Sequence, residues 1–165
     1  MDIFDNSICV VFVSENSPTV EKSPVCENQA GKIYVMTDPI ADMLTRIRNA
    51  VMAKQSTVFV PQSNLKWRIA EILSRERWIG GVTRTGTAPK EMIRVELLYD
   101  TAGKPVLTHL KRLSTPGRRL YVKHASIPTV LNRFGIAIVS TPEGLMTDRE
   151  ARKRSLGGEL VCEVY

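Results

Sequence analysis

With 165 residues, 43% of them hydrophobic, the chain is long enough for one medium domain or two small ones with real cores. Its formal charge of +6 is unevenly spread, because residues 1–35 hold two Lys against five Asp or Glu and the remaining 130 carry a net +9. A compact body this basic is matched to a polyanion, since Lys and Arg that neutralise phosphates release condensed counterions. No apolar run approaches the roughly 18 residues that span a bilayer, and no lipidation motif is present, which argues against a membrane partner.

The first 35 residues join a short apolar run, Ile8 to Val13, to a polar stretch, Ser14 to Gln29, rich in Ser, Glu, Asn and Pro, a composition that favours disorder. Asp2 and Asp5 make the start acidic where a secretory signal is basic, and the lack of Arg departs from a transit peptide. Met36 stands just before a strong helix start, so residues 1–35 are expected to be a disordered appendage or a stretch read from a misplaced start codon.

From there the elements follow in order. Asp38 suits an N-cap and Pro39 the first helical position, and Ile40, Met43, Leu44, Ile47 and Val51 recur at helical steps. Arg46 and Arg48 on its other side read either as a solvated helix end or as an RNA contact. Thr57 to Val60 predicts a strand ending at Pro61, and Ser63 caps a second helix with Leu65, Ile69, Ile72 and Leu73 on one face and a stop at Gly80-Gly81. Val82 to Thr85, a Gly86–Lys90 turn and a strand alternating through Ile93, Val95, Leu97 and Tyr99 complete an α-β-α-β-β unit. The turn Asp100–Lys104 is the expected boundary between domains at 36–100 and 101–165.

The second part predicts a strand from Val106 to Leu113, the loop Ser114-Thr115-Pro116-Gly117-Arg118-Arg119, and a strand Leu120 to Lys123. A short helix carrying Ile127, Val130, Leu131 and Phe134 is expected to end at Gly135. Then come a strand Ile136 to Thr141, a Pro142-Glu143-Gly144 turn, a strand Leu145 to Thr147, a basic helix capped by Asp148, and a strand Glu159 to Tyr165 entered through Gly157-Gly158. The fold class is α+β, with two small domains, the second mostly β with two short helices.

Catalysis is poorly supported. His109 and His124 are the two histidines, and no zinc-protease, nucleophile-elbow or phosphate-loop motif accompanies them. Asp42 can pair with Arg46 four residues on, which leaves no carboxylate dyad. The three cysteines, Cys9, Cys26 and Cys162, are too far apart in sequence for a metal clasp, so neither metal nor cofactor is expected. Cys162 alternates with Leu160 and Val164, where it would serve as a small buried hydrophobe.

Nucleic-acid contact has better candidates. In Pro116-Gly117-Arg118-Arg119, followed by Tyr121 and Lys123, glycine admits close backbone, arginine forks phosphate oxygens and tyrosine offers a ring or a hydroxyl. Ser140 and Thr141 at the lip of the next turn can donate to sugars and base edges in a shallow minor groove; the plainer alternative makes them turn residues and the basic loop a solvated one. An RNA-processing enzyme is the competing class, separable by incubation with labelled RNA.

Three segments carry a resemblance. Asp38-Pro39-Ile40-Ala41-Asp42-Met43-Leu44-Thr45-Arg46-Ile47-Arg48-Asn49-Ala50 resembles the start of the S-eight protein family of the bacterial small ribosomal subunit. Gly135-Ile136-Ala137-Ile138-Val139-Ser140-Thr141-Pro142-Glu143-Gly144-Leu145-Met146-Thr147-Asp148-Arg149 is similar to its carboxy-terminal signature, as is Gly157-Gly158-Glu159 to its last strand's entry. The likeness covers residues 36–165. It implies a structural protein that binds the central domain of small-subunit ribosomal RNA early in assembly, mainly through the second of two α+β domains, beside neighbouring ribosomal proteins. Ser140 and Thr141 would touch the RNA, with Gly157, Gly158 and Glu159 beside them and Tyr121 and Lys123 near. Glu159 is unusual there, because phosphates repel a carboxylate, so it would accept from base amino or sugar hydroxyl groups or orient a neighbour. The resemblance also implies repression of a messenger that mimics the ribosomal site. It places the protein in ribosomes of the cytoplasm, or of the plastid stroma if plastid-encoded.

Overall fold

The Asp38 carboxylate accepts hydrogen bonds from the backbone N–H groups of Ile40 and Ala41 at 3.0 and 3.1 Å, and helix α1, Pro39–Met52, starts from that cap. The computed structural model describes residues 38–87 and 91–165, so the expectations for residues 1–35, and part of the Gly86–Lys90 turn, lie outside the described residues. α1 buries Ile40, Met43, Leu44, Ile47 and Ala50, with Val51 only partly covered at the edge of the core. β1, Thr57–Pro61, and β2, Val82–Thr85, flank β3, Met92–Glu96, in an antiparallel sheet ordered β1-β3-β2. Helix α2, Asn64–Arg75, lies between β1 and β2 in sequence. Lys66, three residues before Ile69 and seven before Leu73, takes the inward place expected of Leu65, which is 41% exposed. Its stem is covered while its amine reaches the Pro61 carbonyl at 3.3 Å. Burial pushes the Lys66 pKa down, against partial support from Asp42.

The second sheet is built on its last strand. β8, Gly158–Val164, pairs on one side with β6, Ile136–Thr141, and on the other with both β4, Leu110–Arg112, and β5, Tyr121–Val122. β7, Gly144–Thr147, closes a hairpin on β6. The strand expected from Val106 to Leu113 shrinks to β4; ahead of it the N–H groups of Thr108 and His109 both converge on the carbonyl of Tyr165.

Two further expectations are corrected. The helix expected through Ile127, Val130, Leu131 and Phe134 is a pair of single 3₁₀ turns, His124–Ser126 and Leu131–Arg133. Pro128 supplies no N–H and biases the residue before it away from helix, and Leu131, Asn132 and Arg133 all have positive φ. Ile127 and Val130 are buried, but Leu131 and Phe134 are 53% and 82% exposed. Hence the second part holds one α-helix, not two: α3, Asp148–Lys153. Its cap is Thr147 rather than Asp148, in a reciprocal box where Thr147 Oγ1 accepts from Glu150 N–H at 3.3 Å and Glu150 accepts from Thr147 N–H at 3.2 Å. Asp148 instead sits buried within the first turn, paired with Arg152 at 3.3 Å.

The apolar groups form two clusters. The larger joins α1, β1, α2 and β3 to Leu107, Leu110, Ile136, Ile138, Val161, Cys162 and Val164, so it runs past the Asp100–Lys104 turn. The smaller lies on the other face of the second sheet, where Ala137, Val139 and Leu160 meet Ile127, Val130, Met146 and Ala151. Leu160 therefore does not share a face with Cys162, as simple alternation predicts. A register shift between Ile138 and Val139 pairs them with Cys162 and Leu160, leaving Val161 as the extra residue. Such a bulge resets the side-chain parity of a strand. Cys162 is the expected small hydrophobe, and full burial pushes its thiol pKa up to about 12.

Candidate nucleic-acid interface

The bulge decides what the outer end of the second sheet presents. Beyond it Glu159 is paired with Ser140 on β6 and with Tyr121 on β5, and directly opposed residues of neighbouring strands share a face. Tyr121, Glu159 and Ser140 thus stand in one row, next to the row Arg112, Cys162 and Ile138. An open groove runs along this edge, lined by Tyr121, Val122, Lys123, Ser140, Pro142, Gly157 and Gly158.

Both glycines are needed by the backbone. A Cβ at Gly157 would stand 2.6 Å from the Val122 carbonyl oxygen, and one at Gly158 would stand 2.1 Å from that of Ser140. Either contact is far inside van der Waals separation, so the strands on both sides of β8 close up only because no side chain intervenes.

Glu159 is held from the side. Its Oε1 accepts from the buried hydroxyl of Ser114 and from the Arg119 guanidinium at 2.8 Å. Burial alone would raise the Glu159 pKa, but hydrogen bonds from Ser114 and Arg119, with the charges of Arg119 and Arg112, hold it below the ordinary carboxylate value. Behind it, Arg112 pairs with Asp38 at 3.1 Å and donates to the Val161 carbonyl at 2.7 Å, tying the start of α1 to the bulge. Arg118 and Arg119 sit on a tight turn closed by reciprocal backbone bonds between Thr115 and Arg118, at 2.9 and 3.0 Å.

The structure thus gathers Tyr121, Lys123, Ser140, Gly157 and Gly158 around one groove, with Glu159 and Arg119 adjoining. Thr141 is 8% exposed and turns its hydroxyl onto the Gly144 carbonyl at 2.9 Å, locking the β6–β7 turn. Arg46 and Arg48 lie on other depressions. Arg46 pairs with Asp42 at 2.8 Å, as the spacing predicts, and Arg48 donates to the Leu110 carbonyl. His109 stacks on Tyr165, ring centroids 4.6 Å apart. Sequence reasoning gave Ser114 and Arg112 no role, and a Ser ahead of Thr-Pro-Gly carries no signal beyond that of a turn. Among the described residues no cluster of His, Cys, Asp and Glu could hold a metal ion, and no helix is long and apolar enough to cross a membrane.

A basic α+β chain with an open groove at the end of its second sheet has the charge and the exposed donors expected of the polyanion-binding class. Comparison with known proteins makes this particular. The family model described as Ribosomal protein S8 matches residues 38–165. The chain is 53% identical over 131 residues to the Small ribosomal subunit protein uS8 of Streptococcus agalactiae serotype V, covering 79% of this chain and 99% of the relative. It is 49% identical over 130 residues to that of Rubrobacter xylanophilus, covering 79% of this chain and 98% of the relative. The chain belongs to the ribosomal protein S8 family, and is a structural ribosomal protein rather than an enzyme.

Proposed function

We propose that this protein is a constituent of the small ribosomal subunit that binds the central domain of its RNA directly through the Tyr121–Glu159–Ser140 row, supporting subunit assembly and translation. In this reading residues 36–100 are the scaffold and residues 101–165 the RNA-binding domain. The observation that carries it is that row: a ring, an oriented carboxylate and a short hydroxyl stand side by side on strands locked by Gly157 and Gly158. Rigid short groups of this kind read the shallow minor groove and unstacked base edges of folded RNA. Glu159 suits the role because Arg119 and Ser114 occupy Oε1, leaving Oε2 to accept from a base amino group or a ribose hydroxyl. Lys123 and Arg118, both exposed and without a carboxylate partner among the described residues, supply phosphate contacts, with Arg46 and Arg48 as more distant ones. Thr141 holds the turn from within.

An RNA-binding titration tests the division of labour. Ser140→Ala weakens binding to the ribosomal RNA by ~1–3 kcal/mol and leaves unrelated RNA unaffected, whereas Arg118→Ala weakens both and lowers the salt slope by about 1. Equal loss on both RNAs after Ser140→Ala would overturn the reading. Because recognition is by shape and hydroxyl placement, a messenger that copies the ribosomal site would occupy the same groove and be repressed. The place of work is the ribosome, in cytoplasm or plastid stroma, beside other small-subunit proteins.

A further inference from the structure

We infer that Ser114, buried behind the groove and outside any RNA contact, is a positioning residue that sets the RNA-reading conformation of Glu159 and of the Arg118–Arg119 turn. The inference rests on the proposed RNA-binding role of the groove and adds the device that pre-organises it. Ser114 is 0% exposed. Its hydroxyl donates to Glu159 Oε1 and accepts from the Leu120 N–H at 3.3 Å, so one oxygen joins β8 to the chain entering β5. A hydroxyl has a single proton to donate, and here it goes to the carboxylate. With Arg119 Nη1 on the same oxygen at 2.8 Å, the carboxylate is gripped along one edge. Arg119 alone would do this poorly. Its side chain is 47% exposed, and an exposed ion pair holds geometry weakly against side-chain entropy.

The groups facing Glu159 are Ser114 and Arg119 from the loop, Arg112 from β4 and Tyr121 from β5, with Ser140 opposite it on β6. Of these Ser114 is the buried neutral donor. Removing its hydroxyl leaves the half-buried carboxylate short of one hydrogen bond and the turn without its tie at Leu120, while no positive charge is removed from the chain. Affinity for the ribosomal RNA then falls without a change in the number of phosphates neutralised.

The test is a double-mutant cycle on the full chain, titrated with small-subunit ribosomal RNA and with an unrelated RNA of equal length. Ser114→Ala, and the nearly isosteric but weaker donor Ser114→Cys, are each combined with Glu159→Gln; Ser114→Cys keeps the volume of the site if Ser114→Ala loosens the fold. The expected result is a loss of about 10-fold or more for the ribosomal RNA in the single variants. The salt slope stays at the wild-type value, and Ser114→Ala causes little further loss once Glu159→Gln is present. The acid-side fall in binding also moves to higher pH in Ser114→Ala, because a carboxylate that has lost a donor protonates more readily. Losses that simply add, or a pH profile that does not move, overturn the inference while leaving the RNA-binding reading intact. Failure of the unsubstituted protein to prefer the ribosomal RNA overturns both.

Discussion

At the inner end of the second sheet Leu110, Val164 and Ile136 meet in one row, at most 2% exposed, against α1. Two rows further along the same face Tyr121, Glu159 and Ser140 meet in another, and there Tyr121 is 71% exposed. Position relative to the helices decides which row is core and which is surface. Precision has different sources at the two ends. The inner row is held by apolar packing, which tolerates substitutions of similar volume. The outer row is held by backbone closeness at Gly157 and Gly158 and by hydrogen bonds behind Glu159. At the surface, backbone closeness fixes the strand spacing that side-chain packing fixes in the core.

The strongest way to break this contrast is at Gly158. A Cβ 2.1 Å from the Ser140 oxygen forces β6 and β8 apart, so Gly158→Ala costs roughly 2–4 kcal/mol in urea unfolding, together with RNA affinity. An unchanged midpoint would mean that the strands are less tightly closed than described.

Next is the tie between α1 and the bulge. Asp38→Asn keeps an N-cap residue but removes the partner of Arg112, both side chains being about a tenth exposed. The expected loss is about 1–3 kcal/mol at neutral pH. Burial raises the Asp38 pKa, but hydrogen bonds from Ala41, Arg112 and Ile40 and the Arg112 charge bring it below the ordinary carboxylate value. A lowered folded pKa contributes stability that is present above the unfolded-chain value and is lost as pH falls through the folded one. The gap between the two proteins in melting experiments should therefore hold from neutral pH down to about 4 and narrow only below it; a gap that closes near neutrality would contradict the pairing.

The smallest expected effect sharpens the other boundary. Phe134, 82% exposed just after its 3₁₀ turn, changes stability by no more than about 0.5 kcal/mol when replaced by Ser, whereas a Phe packed into a core helix would cost ~3–5 kcal/mol. Thermal melting distinguishes these.

What could be read ahead of the structure follows the range of the interactions. α1 and β6 were legible because a cap, a proline and a hydrophobic period act within a few residues. The segment Ile127–Phe134 imitates a helical period, and only the left-handed run Leu131–Arg133 reveals that Leu131 and Phe134 turn outward. The bulge at Val161 was invisible, since Leu160, Val161 and Cys162 are all apolar and nothing in their order says which is supernumerary. Without it Glu159 would face the wrong side. Ser114 was beyond reach for a related reason, its partner lying 45 residues away. Glu159, Gly157 and Gly158 were singled out by family resemblance rather than by spacing; the structure adds the physical reason the glycines stand there.

The most direct test of the central claim is base-by-base chemical protection of small-subunit ribosomal RNA by the full chain, at a salt concentration that removes its hold on unrelated RNA. A single continuous protected site, weakened by Ser140→Ala and retained in Arg118→Ala at lower salt, is the result this account predicts. Scattered protection that fades uniformly with salt, and is indifferent to Ser140, would contradict it.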